Sequence, residues 1–220
     1  MKNILLIISL LIIIGGLWFF FGKGGSQETD LGGNTQVSEE GKKEDVSKDA
    51  QKPVMEETNG KNPIVVFKTS MGDVSLEIFA DRMPITAANF MKLVKEDFYD
   101  GVKFHRVIDK FMIQGGDPNS KGENTASYGT GGPGYTIKDE FADGNADKRG
   151  TIAMANAGPN TGGSQFFINL VDNDFLNQKH PVFGKVIGGM DVVDAIGKTK
   201  TGERDLPVTP VVIKDIEVKE

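Results

Sequence analysis

Two stretches concentrate the side chains that could do chemistry. The first, Phe104-His105-Arg106-Val107-Ile108-Asp109-Lys110-Phe111-Met112-Ile113-Gln114-Gly115-Gly116-Asp117, offers a cation and an amide among Phe and Met side chains. The second begins Met154-Ala155-Asn156-Ala157-Gly158-Pro159-Asn160-Thr161-Gly162-Gly163-Ser164-Gln165-Phe166-Phe167-Ile168 and continues to Leu176 and His180. Read as strands, the first stretch sets Phe104, Arg106 and Ile108 opposite His105 and Val107, and Met112 and Gln114 opposite Phe111 and Ile113. This is equipment for directed hydrogen bonding within an apolar setting. Singly, Phe104, Met154 and Phe166 read as core residues and His105 as a packing residue between aromatics.

Other chemistries are excluded by composition and spacing. The 220 residues include no Cys, which removes disulfides, thiolate catalysis, zinc–cysteine sites and an acylated anchor. A net charge of −6 argues against nucleic acid as a partner. Gly129-Thr130-Gly131-Gly132-Pro133-Gly134 spells G-x-G-x-x-G, but no strand precedes it and Pro133 opposes a following helix. The calcium-loop start at Asp143 has Lys148 where glycine is required and Met154 where glutamate is required. Gly197-Lys198-Thr199 lacks the earlier glycine of a phosphate loop, and Ser164 lacks the nucleophile-elbow pattern. His105 and His180 have no second ligand pair nearby, so neither a metal nor any other cofactor is expected.

Three regions must carry these residues. Ile4 to Phe21 is an uncharged run of 18 residues. As a helix it spans about 27 Å, close to the hydrocarbon thickness of a bilayer. Its Trp18-Phe19-Phe20-Phe21 end suits an interfacial anchor better than a cleavage site, so residues 1–21 are expected to span a membrane once. The charge bias places the remainder on the extracytoplasmic side; secretion after signal cleavage is the alternative. Residues 22–60, with nine acidic residues against five Lys and no aromatic, read as a flexible linker.

Residues 61–220 read as one domain. Strands are expected at 64–69 and 74–79, joined by Ser70-Met71-Gly72-Asp73, and at 103–108, 111–114, 151–155, 165–170, 182–187 and 208–218. Helices are expected from Pro84, with Ile85, Ala88, Leu93 and Val94 near helical spacing, and over 189–196. Short strands between Gly-rich turns predict a mainly β fold, a closed antiparallel barrel capped at its ends.

The two stretches resemble the cyclophilin family of peptidyl-prolyl cis-trans isomerases over about residues 63–218, through F-H-R-x-x-x-x-F-M-x-Q-G-G-D and M-A-N-A-G-P-N-T-x-G-S-Q-F-F-I. The resemblance implies a closed eight-stranded antiparallel barrel with two helices and a groove on its outside. It implies that Arg106 donates to the prolyl nitrogen and that Phe111, Met112, Phe167, Leu176 and His180 form the proline pocket. Gln114, Ala155, Asn156 and Gln165 would hold the substrate backbone, Asn156 largely through its main chain. His105 and Phe175 are assigned to the groove edge. Many eukaryotic members carry Trp where this chain has Phe175, so the likeness does not extend to the indole N–H used in tight cyclosporin binding.

The implied partners are proline-containing segments of exported or surface proteins as they fold, met by a monomeric, membrane-tethered domain. A peptide-binding module without turnover and a tethered scaffold are the other readings. The complete set Arg106, Phe111, Gln114, Phe167 and His180 favours the enzyme.

Overall fold

The computed structural model describes residues 62–219. The expected membrane anchor at 1–21 and linker at 22–60 lie outside the described residues. Among the described residues, no helix is long and apolar enough to cross a membrane.

A continuous apolar run makes β1 (Ile64–Thr69) and an alternating one β2 (Gly72–Ile78), and the two form the first hairpin, paired from Ile64–Glu77 to Thr69–Gly72. The Thr69 hydroxyl accepts from Met71 N–H and donates to the Gly72 carbonyl, tightening the turn. Helix α1 (Pro84–Lys95) opens with proline at its first turn, where a missing N–H costs nothing. Its cap comes from far away: the Glu140 carboxylate accepts from Ile85 and Thr86 N–H at 3.1 Å, placing an anion at the positive end of the helix. The buried face uses Ala87, Ala88, Phe90, Leu93 and Val94, while Ile85, expected to face inward, is 43% exposed.

The remaining elements are β3 (Arg106–Ile108), β4 (Met112–Gly115), β5 (Thr151–Met154), β6 (Phe166–Asn169), β7 (Val182–Gly188), α2 (Met190–Gly197) and β8 (Ile213–Lys219). Gly189, before α2, has φ +77°, and a Cβ there would lie 2.2 Å from the Asp73 carbonyl oxygen; only glycine fits.

All eight strands form one antiparallel sheet in the order β3-β4-β6-β5-β7-β2-β1-β8. The expected closed barrel is therefore corrected to an open half-barrel, with β3 and β8 at its edges. Only a single bridge, Lys103–Val212, and flanking hydrogen bonds such as Phe104 N–H to Val211 O cross the seam. On the side of Lys103 away from Val212, its N–H donates to the Ser120 hydroxyl instead of extending the ladder with β4, and the expected strand 103–108 shortens to β3. The expected strand 208–218 shortens to β8, after Pro207 and Pro210, which have no N–H to give.

The core lies inside the curved sheet and centres on Phe166. Its ring meets Phe67 of β1, Phe90 of α1, Tyr99 and Phe104 at centroid distances of 5.5 to 6.4 Å, edge to face. Phe104 is thus a core residue off any strand, not a neighbour of Arg106 on one strand face.

Candidate active site

The site begins with pairing register. Arg106 of β3 stands opposite Gln114 of β4, Gln114 opposite Phe167 of β6, and Phe167 opposite Ala153 of β5. Because opposed residues share a face, one row across the sheet carries a cation, an amide and a ring. The neighbouring positions Ile108 and Met112 pair in the same way, two residues along.

A chain of side-chain hydrogen bonds orients the polar part. An Arg106 Nη1 N–H reaches the Gln114 Oε1 at 3.5 Å, and Gln114 Nε2 donates to Gln165 Oε1 at 3.0 Å. Gln165 Nε2 then donates to the carbonyls of Gly129 and Gly131, at 3.0 and 2.8 Å. Each amide thereby has a defined orientation, and the relay ends on backbone. The glycine loop is held in turn by buried Asp117, whose carboxylate accepts from Asn119 N–H at 2.8 Å and from Gly129 N–H. Gly116 before it has φ +85°, with room for no Cβ against Ser164 O at 2.3 Å.

The apolar part is a wall of rings. Phe167, 5% exposed, meets His180 edge to face at 5.2 Å. His180 Nδ1 lies 3.1 Å from the Met154 carbonyl; since that oxygen only accepts, Nδ1–H is the donor in this contact. Phe111 does not follow strict alternation into the core beside Ile113. A turn with Lys110 at φ 57° precedes β4, and Phe111 is half-buried, stacked at 5.7 Å on Phe175. Phe175 itself is 62% exposed and shares the short turn Asp174–Leu176 with Leu176.

A buried polar cluster supports that turn. Asn173 Nδ2 donates to Phe111 O and Asn169 Oδ1, and Asn169 Nδ2 donates to Asp147 Oδ1 at 3.2 Å. Burial pushes the Asp147 carboxyl above its usual range, and its Oδ2 has no partner.

Two clefts meet at Gln114 and Gly129. One, of about 340 Å³, runs along Gly129–Pro133, Tyr135, Ala155–Ala157, Thr161 and Gln165. The other, of about 380 Å³, lies beside Arg106 and is bounded by His105, Tyr128 and residues 204–206. Neither is lined by Phe111, Met112, Phe167, Leu176 or His180. Asn156 lies along the first cleft; its Nδ2 donates to Lys179 O at 2.8 Å, tying this wall to the His180 turn. Among the described residues its main-chain N–H and carbonyl make no hydrogen bond.

Of the residues singled out in the sequence, Gln114, Ala155, Asn156 and Gln165 line the first cleft, and Arg106 and His105 the second. Phe111, Phe167, Phe175 and His180 make the ring contacts, Leu176 shares the Phe175 turn, and Met112 is buried in the core at 2% exposure. His105, read from the sequence as a packing residue, is buried at 6% exposure. Burial lowers its imidazole pKa below the ordinary 6.5, and neither ring nitrogen makes a hydrogen bond of good geometry. Sequence reasoning missed Asp117, Asn169, Asn173, Asp147 and Asp205. Asp117 had a signal, as the last residue of the Gly-Gly-Asp run; the others had none. Among the described residues no group of three or more His, Asp or Glu is placed to hold a metal ion.

An oriented guanidinium near a group of ring contacts, with the free main chain of Asn156 along an adjoining cleft, is suited to an extended peptide carrying one compact apolar ring. Comparison with known proteins gives the same direction. Residues 64–218 match the family described as cyclophilin type peptidyl-prolyl cis-trans isomerase/CLD. A peptidyl-prolyl cis-trans isomerase of Arabidopsis thaliana is 43% identical over 155 residues, covering 70% of this chain and 94% of the relative. One from Acinetobacter baylyi is 43% identical over 170 residues, covering 72% and 86%. A longer Streptococcus pyogenes protein, whose name joins a phosphatase to a peptidyl-prolyl cis-trans isomerase, is 38% identical but matched over only 42% of its length. Among solved structures, a Cryptosporidium parvum cyclophilin superposes with a TM-score of 0.66 at 32% identity, covering 72% of this chain and 98% of that one. The same protein in the presence of the dipeptide Ala-Pro gives 0.65.

Proposed function

The chain belongs to the cyclophilin-type peptidyl-prolyl cis-trans isomerases, and from that premise we propose how its residues divide the work. Rotation about an X–Pro bond meets a barrier of about 18–20 kcal/mol. Millisecond turnover requires lowering it by roughly 5–7 kcal/mol, at 1.36 kcal/mol per decade of rate. As the amide twists it loses conjugation, and its nitrogen becomes a hydrogen-bond acceptor. A cation fixed at that nitrogen binds the twisted state better than the planar one, which is the condition for catalysis. Arg106 is that donor. Phe111, Met112, Phe167, Leu176 and His180 clamp the proline ring, with Phe175 at the rim. Gln114, Ala155, Gln165 and the main chain of Asn156 hold the flanking peptide while it turns.

The observation that carries this division is the relay from Arg106 through Gln114 and Gln165 to the Gly129 and Gly131 carbonyls. It fixes the guanidinium in the row that ends at Phe167. Arg106→Ala in the full chain is expected to lower kcat/KM for X–Pro exchange by about 100- to 1,000-fold, in line with the loss of one oriented transition-state donor. Exchange NMR on a proline peptide measures it, and an unchanged rate would remove Arg106 from the mechanism.

The clients are proline-containing segments of exported or surface proteins, and the domain works outside the cytoplasmic membrane as a monomer tethered by residues 4–21. The uncharged run Ile4 to Phe21 supports the tether. Membrane fractionation with protease added to intact cells tests the placement: the domain should sediment with membranes and be digested from outside.

A further inference from the structure

Arg106 is held on two sides. Gln114 accepts from Nη1, and on the other side Asp205 Oδ2 lies 3.6 Å from Nε. Asp205 comes from a distant segment, the turn between α2 and β8, and that turn is built at a cost. Arg204 and Asp205 are consecutive non-glycine residues with φ of 57° and 59°, a conformation that disfavours side chains bearing a Cβ.

Several contacts impose it. Thr201 and Pro207 form a bridge, Gly202 N–H donates to Leu206 O at 2.8 Å, and the Arg204 guanidinium donates to the carbonyls of Thr125 and Ala126. Arg204 is thus drawn toward the 125–126 turn while Asp205, the next residue, is presented to Arg106. The backbone strain and the far-side anchor both end in one outcome, a carboxylate beside the guanidinium. With Nε facing Asp205 and Nη1 facing Gln114, Nη2 has no partner among the described residues.

We propose that Asp205 is a positioning residue for the isomerase reaction, holding the Arg106 guanidinium so that its unpartnered nitrogen faces the prolyl nitrogen. This rests on Arg106 being the donor. The pair is about half exposed, so its value lies in orientation more than in stability.

The test uses the full chain in mild detergent with two variants chosen for the turn. Asp205→Asn keeps a residue that tolerates positive φ and removes the charge, and Asp205→Gly removes the side chain while relieving the strain. Both should lower kcat for a proline peptide about three- to fivefold, the scale of an exposed ion pair, with KM within about twofold. The melting temperature of Asp205→Gly should equal or exceed that of the parent chain. The NMR order parameter of the Arg106 Nε–H should fall. An unchanged or raised kcat, a loss of kcat that tracks a lower melting temperature, or an Nε–H as ordered as in the parent would each overturn the proposal. Arg106→Ala separates the two claims. If that variant keeps its rate, the donor assignment falls and the positioning role falls with it; if it loses its rate while the Asp205 variants keep theirs, only the positioning role falls.

Discussion

Strands β1, β2, β7 and β8 are six or seven residues long, whereas β3, β4, β5 and β6 stop after three or four. The long set pairs residue by residue, interrupted by one bulge each at the β1–β8 and β2–β7 seams, and carries surface ion pairs such as Lys68–Asp73 and Lys185–Glu77. The short set hands over quickly to loops, and those loops are held by side chains: Gln165 and Asp117 on the glycine loop, Asn173 on Phe111, Asn156 on Lys179. The strand residues of the site, Arg106, Met112, Gln114 and Phe167, all lie on the short set. A long ladder consumes its backbone groups in pairing, so it supplies stiffness and little else. Short strands place a row of side chains in register and leave backbone and loops free to line a groove.

The largest break in this comparison is at Phe166, where the two sets are joined through Phe67 and Phe90. Phe166→Ala should cost about 3–5 kcal/mol, the range for deleting a buried aromatic. Denaturant unfolding measures it, and a cost below about 1 kcal/mol would show that the sets are stable separately.

A smaller effect, of opposite sign, is expected at Asp147 beneath the ring wall. Burial raises the folded-state pKa of its carboxyl, so its contribution to stability is full below the unfolded value of 3.8 and is lost as pH rises through the raised value. Asp147→Asn keeps an acceptor for Asn169 and removes the buried charge. At pH 7 it should raise stability by about 1 kcal/mol, or about 2–4 °C in melting temperature. The gain should vanish as pH approaches 3.8; a gain independent of pH would mean that the charge is not its source.

The smallest effect belongs to the long set. Lys68 pairs with Asp73 and Glu217 at the surface, and Lys68→Ala should change stability by less than about 0.5 kcal/mol and leave kcat/KM unchanged. A measurable loss of activity would contradict the division between the two sets.

The same division governs how much was legible in the sequence. The hairpin of β1 and β2 and the strand β7 follow from local pattern, since β2 alternates along its length while β1 and the start of β7 are runs of consecutively buried residues. The stretch at 103–108 has a strand pattern on paper, yet the Lys103 N–H bonds to the Ser120 hydroxyl and the strand begins only at Arg106. Ile85 has helical spacing but faces outward, and the carboxylate that caps its helix comes from Glu140. Phe111 leaves its expected face because Lys110 turns the chain just before it. In each case the deciding partner or backbone conformation lies outside the local pattern.

The sequence by itself determined the residue types: a single arginine in an aromatic strand, amides two strands apart, enough rings for an apolar wall, and no thiol chemistry. It also determined that Arg106 and Gln114 could share a face, since alternation is a property of the backbone. Only the tertiary structure decided that the barrel stays open and that the guanidinium is held between Gln114 and a carboxylate from the α2–β8 turn. Those outcomes depend on hydrogen bonds and ion pairs between residues far apart in the chain. No periodicity records such contacts; they exist only once the fold has brought their partners within reach.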